Sequence, residues 1–425
     1  MSNTVEGACM PSLKTHIGSV CKKFNQDWDF IVKVGKAAHQ YGSTSTRLER
    51  YLVFVANHLG YCGRFKVTPN TIIFSLQKDS NHQPRIEKIQ VDADMDLYKL
   101  AQLGELLTCI ERGQVSIREA SASIDEIKKT QPQWNKKVVL LGYILVAFGL
   151  PSILGGSWLD SIIAPIFSVI VYLMVLLCGT YQAQLGKWLP LLATFVTSVL
   201  TGLSKVFLPE LDAVLVIVSA SAIILPGYTI SVGIAEMISR RVTSGAKNLC
   251  NGLSCMLKMV LGSWLGIILT TSFAHPASDL LLSAPVDRLW FSFTFPLLMV
   301  GLCFTIQTPK RDFIWVNLVS IIAFVCYLAG GDTLGVHFGA LSGVFVSIFL
   351  ANRWSNHTGY PSSIVLVPVV IMLVSGTIGY RGLLNITEGA FSLGFQQTSQ
   401  TFSVAIALLF GTVAANVLTK PKATL

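Results

Sequence analysis

Residues 136–178 read KKVVLLGYILVAFGLPSILGGSWLDSIIAPIFSVIVYLMVLLC. After the lysine pair, the only formal charge is Asp160. Gly155-Gly156 divides the stretch into two apolar runs, each close to the ~20 residues that a helix needs to cross a hydrocarbon core. The pattern continues to the C-terminus, giving ten runs: 138–156, 159–178, 187–205, 212–236, 252–273, 289–307, 314–330, 334–351, 362–383 and 400–418. The predicted fold is an α-helical polytopic membrane protein with ten transmembrane helices.

Composition divides the chain in the same place. Of 425 residues, 52% are hydrophobic and 13% charged, with a mean hydropathy of +0.59. Soluble domains carry about 25% charged residues. Of the 55 formal charges, 33 lie in the first 137 residues. Pro132 and the Lys136-Lys137 pair mark the boundary of a soluble N-terminal part. The net charge of +9 comes from mixed signs, without the basic face or run of a nucleic-acid binder. Nine cysteines form no CxxC pair, and the seven histidines have no metal-ligand spacing. No cofactor is implied.

Within the soluble part, residues 1–29 read as a tail, loose or with a short helix, and 30–135 as a small α+β cytoplasmic domain. Leu48, Tyr51, Leu52, Val55 and Leu59 follow helical spacing, and Gly60 supplies a stop. Phe65–Val67 and Thr71–Leu76 are strands around a Pro69-Asn70 turn, and Arg85–Val91 is a weaker third strand. Leu97, Leu100, Leu103, Leu107 and Ile110 mark another helix. Ser116-x-x-Glu119 is a capping box opening the next one. No GxSxG, P-loop, GxGxxG or paired-carboxylate motif occurs in this part. Arg47 and Glu49 flank one position of a helix and point in different directions, which favours a docking role over catalysis.

Loop charges orient the spans. With the N-terminus inside, cytoplasmic segments hold Lys136, Lys137, Lys187, Arg240, Arg241, Lys247, Lys310, Arg311, Arg353, Lys420 and Lys422, against Lys205, Arg288 and Arg381 outside. Such a positive-inside bias places both termini in the cytoplasm.

Two spans are interrupted. The fourth contains Leu225-Pro226-Gly227-Tyr228-Thr229-Ile230-Ser231; interior proline costs a helix ~3 kcal/mol and glycine about 1. Pro226 also releases the carbonyl of Ala222. The ninth contains Ser375-Gly376-Thr377-Ile378-Gly379-Tyr380-Arg381. Aligning Gly227 with Gly376 places an apolar run before each break and a hydroxyl soon after it. The two spans are five apart, an odd number, so the halves (136–273 and 274–425) insert in opposite directions. Corresponding broken helices in two inverted five-helix halves point to a midplane binding site. Its candidate residues are Pro226, Gly227, Tyr228, Thr229, Ser231, Ser375, Gly376, Thr377, Gly379, Tyr380 and Arg381. Charge is scarce within the spans, so binding through hydroxyls and helix ends is expected. Lys258 is expected to snorkel. Glu236 beside Arg240 reads as a solvated interfacial pair, while His337 and Arg381 are the charges of more interest. Tyr172, Asn317 and Asn416 read as helix-packing polar residues.

The stretch YGSTSTRLERYLVFVANHLGYCGRFKVTPNTIIFSL (41–76) resembles the N-terminal signature of the threonine/serine exporter family, with its Arg-x-Glu pair at Arg47 and Glu49. LAQLGELLTCIERGQVSIREASASIDEI (100–127) is similar to the helical pair that follows, and ILPGYTISVGIAEMISRRVTSGAKN (224–248) to the Pro-Gly span. FGALSGVFVSIFLANRWSNHTGYPSSIVLVPVVIMLVSGTIGYRGL (338–383) resembles the family's second half, a separate protein in some bacteria. The resemblance implies a non-enzymatic exporter in the cytoplasmic membrane. Its implied substrates are threonine, serine or a small dicarboxylate such as succinate, and its implied drive is the proton-motive force. Its partners would be the solute, the bilayer and protons; a homo-oligomer is compatible with it. The family's second half usually has Pro-Gly where this chain has Ser375-Gly376. The competing readings are a membrane-anchored enzyme with its chemistry in residues 30–130, and a passive channel or receptor.

Overall fold

The computed structural model describes residues 11–78, 83–91, 95–181, 183–238, 240–273, 283–373, 376–387 and 389–419. The chain forms two compact units that divide near residue 131.

The first unit opens with α1 (Pro11–Gln40), and proline at its first position suits a helix start. The helix begins well before the regular pattern at Phe30, so residues 11–29 are not a tail. Trp28, Ile31 and Val34 are buried along one face of it, at helical spacing. Helix α2 (Ser45–His58) buries Leu48, Tyr51, Leu52 and Val55. It ends at Gly60, φ +82°, where the Gly60 amide donates to the Asn57 carbonyl and the Tyr61 amide to that of Ala56. These two bonds make a Schellman stop, and the left-handed conformation suits glycine. Strands β1 (Cys62–Thr68), β2 (Thr71–Gln77) and β3 (Arg85–Gln90) form an antiparallel sheet in that order, with Thr68 opposite Thr71 and Ile72 opposite Ile89. Ile72, Phe74 and Leu76 are buried on one face of β2. Phe74 meets Trp28 edge-on and lies so close to Gly35 that a β-carbon there would sit 2.6 Å from its ring. Helices α3 (Leu97–Glu111) and α4 (Ile117–Lys129) complete the unit. The capping box forms as expected: Ser116 Oγ accepts from the Glu119 amide, and Glu119 Oε2 from the Ser116 amide.

The second unit contains α5 (Lys136–Ile153), α6 (Trp158–Tyr181), the single turn α7 (Ala183–Gly186), α8 (Leu189–Phe207), α9 (Ala213–Ala220), α10 (Gly227–Ile238) and α11 (Val242–Phe273). After these come α12 (Phe291–Thr305), α13 (Phe313–Leu334), α14 (Val336–Thr358), α15 (Ser363–Leu373), α16 (Gly376–Thr387) and α17 (Phe391–Leu418). Among the described residues, nine helical segments are long and apolar enough to cross a membrane, and the pair Ala213–Ala220 and Ala222–Ile238, bent by 59°, makes a tenth. The protein is a multi-pass membrane protein. Helices α11 and α17 start about ten residues before their expected spans. Both extensions are rich in small and polar residues, VTSGAKNLCN and FSLGFQQTS, which hydropathy reads as loop.

Helix pairings in the first half recur in the second. Just as α11 packs on α8 and α10, α17 packs on α14 and α16; α9 meets α6 and α8 as α15 meets α13 and α14. Helices α5 and α12 touch reciprocally: a β-carbon on Gly142 would lie 2.7 Å from the Gly301 carbonyl oxygen, and one on Gly301 2.7 Å from that of Gly142. Small residues let membrane helices approach this closely.

Candidate functional site

The two interruptions meet. In the first half, α9 ends at Ala220, a single 3-10 turn covers Ala222–Ile224, and α10 starts at Gly227 after Pro226. In the second, α15 ends at Leu373 and α16 starts at Gly376. A β-carbon on Gly376 would lie 2.6 Å from Gly227 Cα. Two helix N-termini therefore touch, backbone to backbone. Their first-turn N–H groups lack intrahelical acceptors, and both macrodipoles point their positive ends at this place. The segments entering the breaks rest on one apolar cluster: Ala222 and Ile223, and likewise Ile371 and Met372, pack against Val146, Phe295, Leu298, Met299, Leu302 and Phe324.

The candidate residues distribute around this contact unevenly. Gly227, Gly376 and Ser231 are buried, and Pro226, Tyr228, Thr229 and Thr377 half-buried. Ser375 lies outside the described residues. Gly379 faces α17, where a β-carbon would meet Thr401 Oγ1 at 3.0 Å. Tyr380 is fully buried in a cluster with Val218, Met256, Met259 and Leu384. Its hydroxyl shares a 2.6 Å hydrogen bond with Ser263 Oγ and approaches the Met259 carbonyl at 3.4 Å. Thr194 Oγ1 donates to that same carbonyl at 2.9 Å, and Ser198 Oγ to the Ser263 carbonyl at 2.7 Å, tying α8 to α11.

Arg381 builds a second polar cluster. Its Nη1 donates to the Leu154 carbonyl at 2.9 Å, and its Nη2 lies 3.6 Å from Asp212 Oδ2, while Nε is buried with no hydrogen-bond acceptor. Asp212 caps α9 by accepting from the Leu215 amide. The buried Asp160 accepts from the Ser157 amide and hydroxyl and, through Oδ1, from the Asp212 amide. The sequence places Asp160 and Asp212 at the starts of the second and fourth apolar runs and does not reveal that Asp212 pairs with Arg381 or that Asp160 holds the Asp212 amide. The acid-before-helix pattern at Asp212 signals a cap, but nothing local signals a partner 169 positions away.

Two other expectations are corrected. Glu236 is not solvated: it is 5% exposed, and its Oε2 accepts from Ser244 Oγ at 2.7 Å and Asn248 Nδ2 at 2.9 Å. His337 is exposed at the start of α14, because the helix begins at Val336, two residues after the expected start of the span. Lys258 does snorkel, its ammonium reaching the Lys187 carbonyl at 3.0 Å. Asn416 accepts from Asn352 across α14 and α17, and Tyr172 donates to the Lys136 carbonyl.

In the first unit, Glu49 Oε1 accepts from the Val67 amide of edge strand β1 at 2.8 Å, docking α2 on the sheet. Arg47 is half-buried on the same helix. Tyr61 donates to Asp27 in a buried 2.8 Å bond, and burial pushes its hydroxyl up. Burial likewise raises the Glu111 carboxyl, against the opposing pull of His58 and Arg112. Among the described residues, no group of three or more His, Cys, Asp or Glu is placed to hold a metal ion.

Comparison with known proteins follows this two-part organisation. The family model described as "Putative threonine/serine exporter" matches residues 29–270, and that described as "Threonine/Serine exporter, ThrE" matches residues 291–418. "Pheromone-regulated membrane protein 10" of Kluyveromyces lactis is 24% identical over 370 residues, covering 85% of this chain and 39% of the relative. Its namesake in Candida albicans is 24% identical over 428 residues, covering 92% and 38%. An uncharacterized Schizosaccharomyces pombe protein is 20% identical over 415 residues, covering 93% and 48%. The chain thus spans less than half the length of these relatives. No solved structure matches it. With both family regions matched in order along one ten-span chain, the protein belongs to the threonine/serine exporter family, in a fused two-part form.

Proposed function

We propose that the protein exports a small polar amino acid, threonine or serine, or a small dicarboxylate such as succinate, across the cytoplasmic membrane by alternating access. Both termini lie in the cytoplasm, and the proton-motive force drives transport. The observation that supports this reading best is the contact of Gly227 with Gly376. Two discontinuous helices in corresponding positions of two halves bring their positive ends together, an arrangement suited to a substrate carboxylate. The hydroxyls of Thr229, Ser231, Thr377 and Ser375 would bond the solute's ammonium and side chain, with Tyr228 at the rim. Tyr380 would support the site through Ser263. Arg381, paired with Asp212, would hold the site closed on its own side and offer its unfilled Nε donor when that pair opens.

The test is counterflow in liposomes containing the full-length protein, with labelled serine, threonine and succinate in turn. Exchange of at least one solute is expected. A folded protein that exchanges none of them overturns the exporter reading in favour of a receptor or another solute class.

A further inference from the structure

The two broken-helix segments are related by a constant sequence offset of 149 residues, from Gly227 and Gly376 onward, and the contacts between each half-helix and the next helix obey it. A β-carbon on Gly233 would lie 3.0 Å from the Gly245 carbonyl oxygen, and one on Gly382 2.9 Å from that of Gly394. Gly252 meets Ile230 where Thr401 meets Gly379. One polar bond is duplicated as well. Asn248 Nδ2 donates to Glu236 Oε2 at 2.9 Å between α10 and α11, and Asn385 Nδ2 donates to Gln397 Oε1 at 2.8 Å between α16 and α17. The repeat thus keeps a hydrogen bond at this place with its direction reversed: position 236 accepts through a carboxyl, whereas the corresponding position 385 donates through an amide.

That carboxyl is set apart by its surroundings. Glu236 is 5% exposed, and its Oε1 is buried without a hydrogen-bond donor. Its bonded partners, Ser244 and Asn248, are neutral. It sits in the last turn of α10, where the macrodipole disfavours negative charge. The elements packed on α10 are α11, α15, α16 and α17. Helices α15 and α17 contain no titratable side chain. Helix α16 contains Tyr380 and Arg381, which are bonded to Ser263 and Asp212. Helix α11 contains Lys247, Cys250, Cys255 and Lys258; Lys247 and Cys250 are exposed, and Lys258 reaches Lys187. In the link before α11, Arg240 is exposed, and the Arg241 amide donates to the Glu236 carbonyl.

We propose that Glu236 is the proton-carrying group that couples transport to the proton gradient. This rests on the exporter reading. One proton binds the free Oε1 and turns the carboxylate into a neutral acid, with the bond to Asn248 kept on Oε2. The neutral acid matches the uncharged Asn385 of the other half, so protonation removes the charge difference between the two helix seams. Buried charge in a membrane bundle is costly, and neutralising it lets the seam move between apolar surroundings. Loss of the same proton on the opposite side completes the cycle, with one proton moving against one solute.

The test uses full-length protein in liposomes, with labelled serine, threonine and succinate, and compares two measurements. One is counterflow at equal pH; the other is accumulation driven by an imposed pH gradient. E236Q is expected to keep counterflow within about twofold and to lose gradient-driven accumulation by about tenfold or more. E236N copies the amide of residue 385 and carries the same measurements if E236Q does not fold. A variant that still accumulates solute with the pH gradient overturns the proposal, as does wild-type accumulation that follows sodium alone. Wild-type protein without counterflow of any of the three overturns the exporter reading itself, and the proton role with it.

Discussion

Gly376 has no room for a side chain, because the α-carbon of Gly227 occupies the place of its first atom. Overpacking a tight contact costs about 1–3 kcal/mol, so G376L and G227L are each expected to reduce counterflow sharply, and a comparison of thermal stability separates lost function from lost fold. If both variants transport normally, the midplane site is wrong. Arg381 yields a second residue-level expectation. It and Asp212 are largely buried partners, 24% and 19% exposed at their side chains. A double-mutant cycle of R381M and D212N is expected to give a coupling of about 0.5–3 kcal/mol, read by thermal unfolding in detergent. At this scale the sequence was partly informative. Both glycines and Arg381 stood out from it, whereas Ser263 did not, and Asp160 and Glu236 were visible without the partners that give them their meaning.

Helix α4 and the two broken helices show what an element owes to local chemistry. S116A removes the hydroxyl that accepts from the Glu119 amide, at a typical cost of ~1 kcal/mol, so amide exchange in the first turn of α4 is expected to quicken about fivefold. Two carboxyls of the first unit then have opposite pH signatures. The Ser116 hydrogen bonds hold the Glu119 carboxyl below its usual range. Its contribution is therefore present above the unfolded value and lost as pH falls through the folded one. Burial holds the Glu111 carboxyl above its usual range, so the folded form is favoured below the unfolded value and that advantage is lost as pH rises through the folded one. Amide exchange at neutral pH is expected to show E119Q loosening its helix and E111Q tightening the surroundings of α3. Both differences should vanish in acid, below the ordinary carboxylate range. Capping box, glycine stop and hairpin could be read in advance because their signals lie within a few residues. The early starts of α1, α11 and α17 could not be. Their extra turns are polar or rich in small residues, and hydropathy does not distinguish such a turn from a loop.

At the scale of the whole molecule, paired helices in one half recur in the other, and reciprocal glycine contacts lie where the halves meet, at Gly142 with Gly301 and Gly227 with Gly376. The eleven-to-three distribution of basic residues leads us to expect a cytoplasmic C-terminus. A C-terminal fluorescent-protein fusion should therefore shine, and an alkaline-phosphatase fusion at the same place should stay inactive; the reverse pattern would require an odd number of spans. The membrane character, the ten runs, the α+β order of the first unit and the two breaks were all present in the amino-acid order, because burial in lipid and turn chemistry leave periodic, local marks. The pairing of α10 with α16, the Arg381–Asp212–Asp160 cluster and the burial of Glu236 were not. The first two join residues far apart in the chain, and Glu236 meets Ser244 and Asn248 only where α11 folds back on α10; such contacts leave no periodic mark and exist only once the helices are packed.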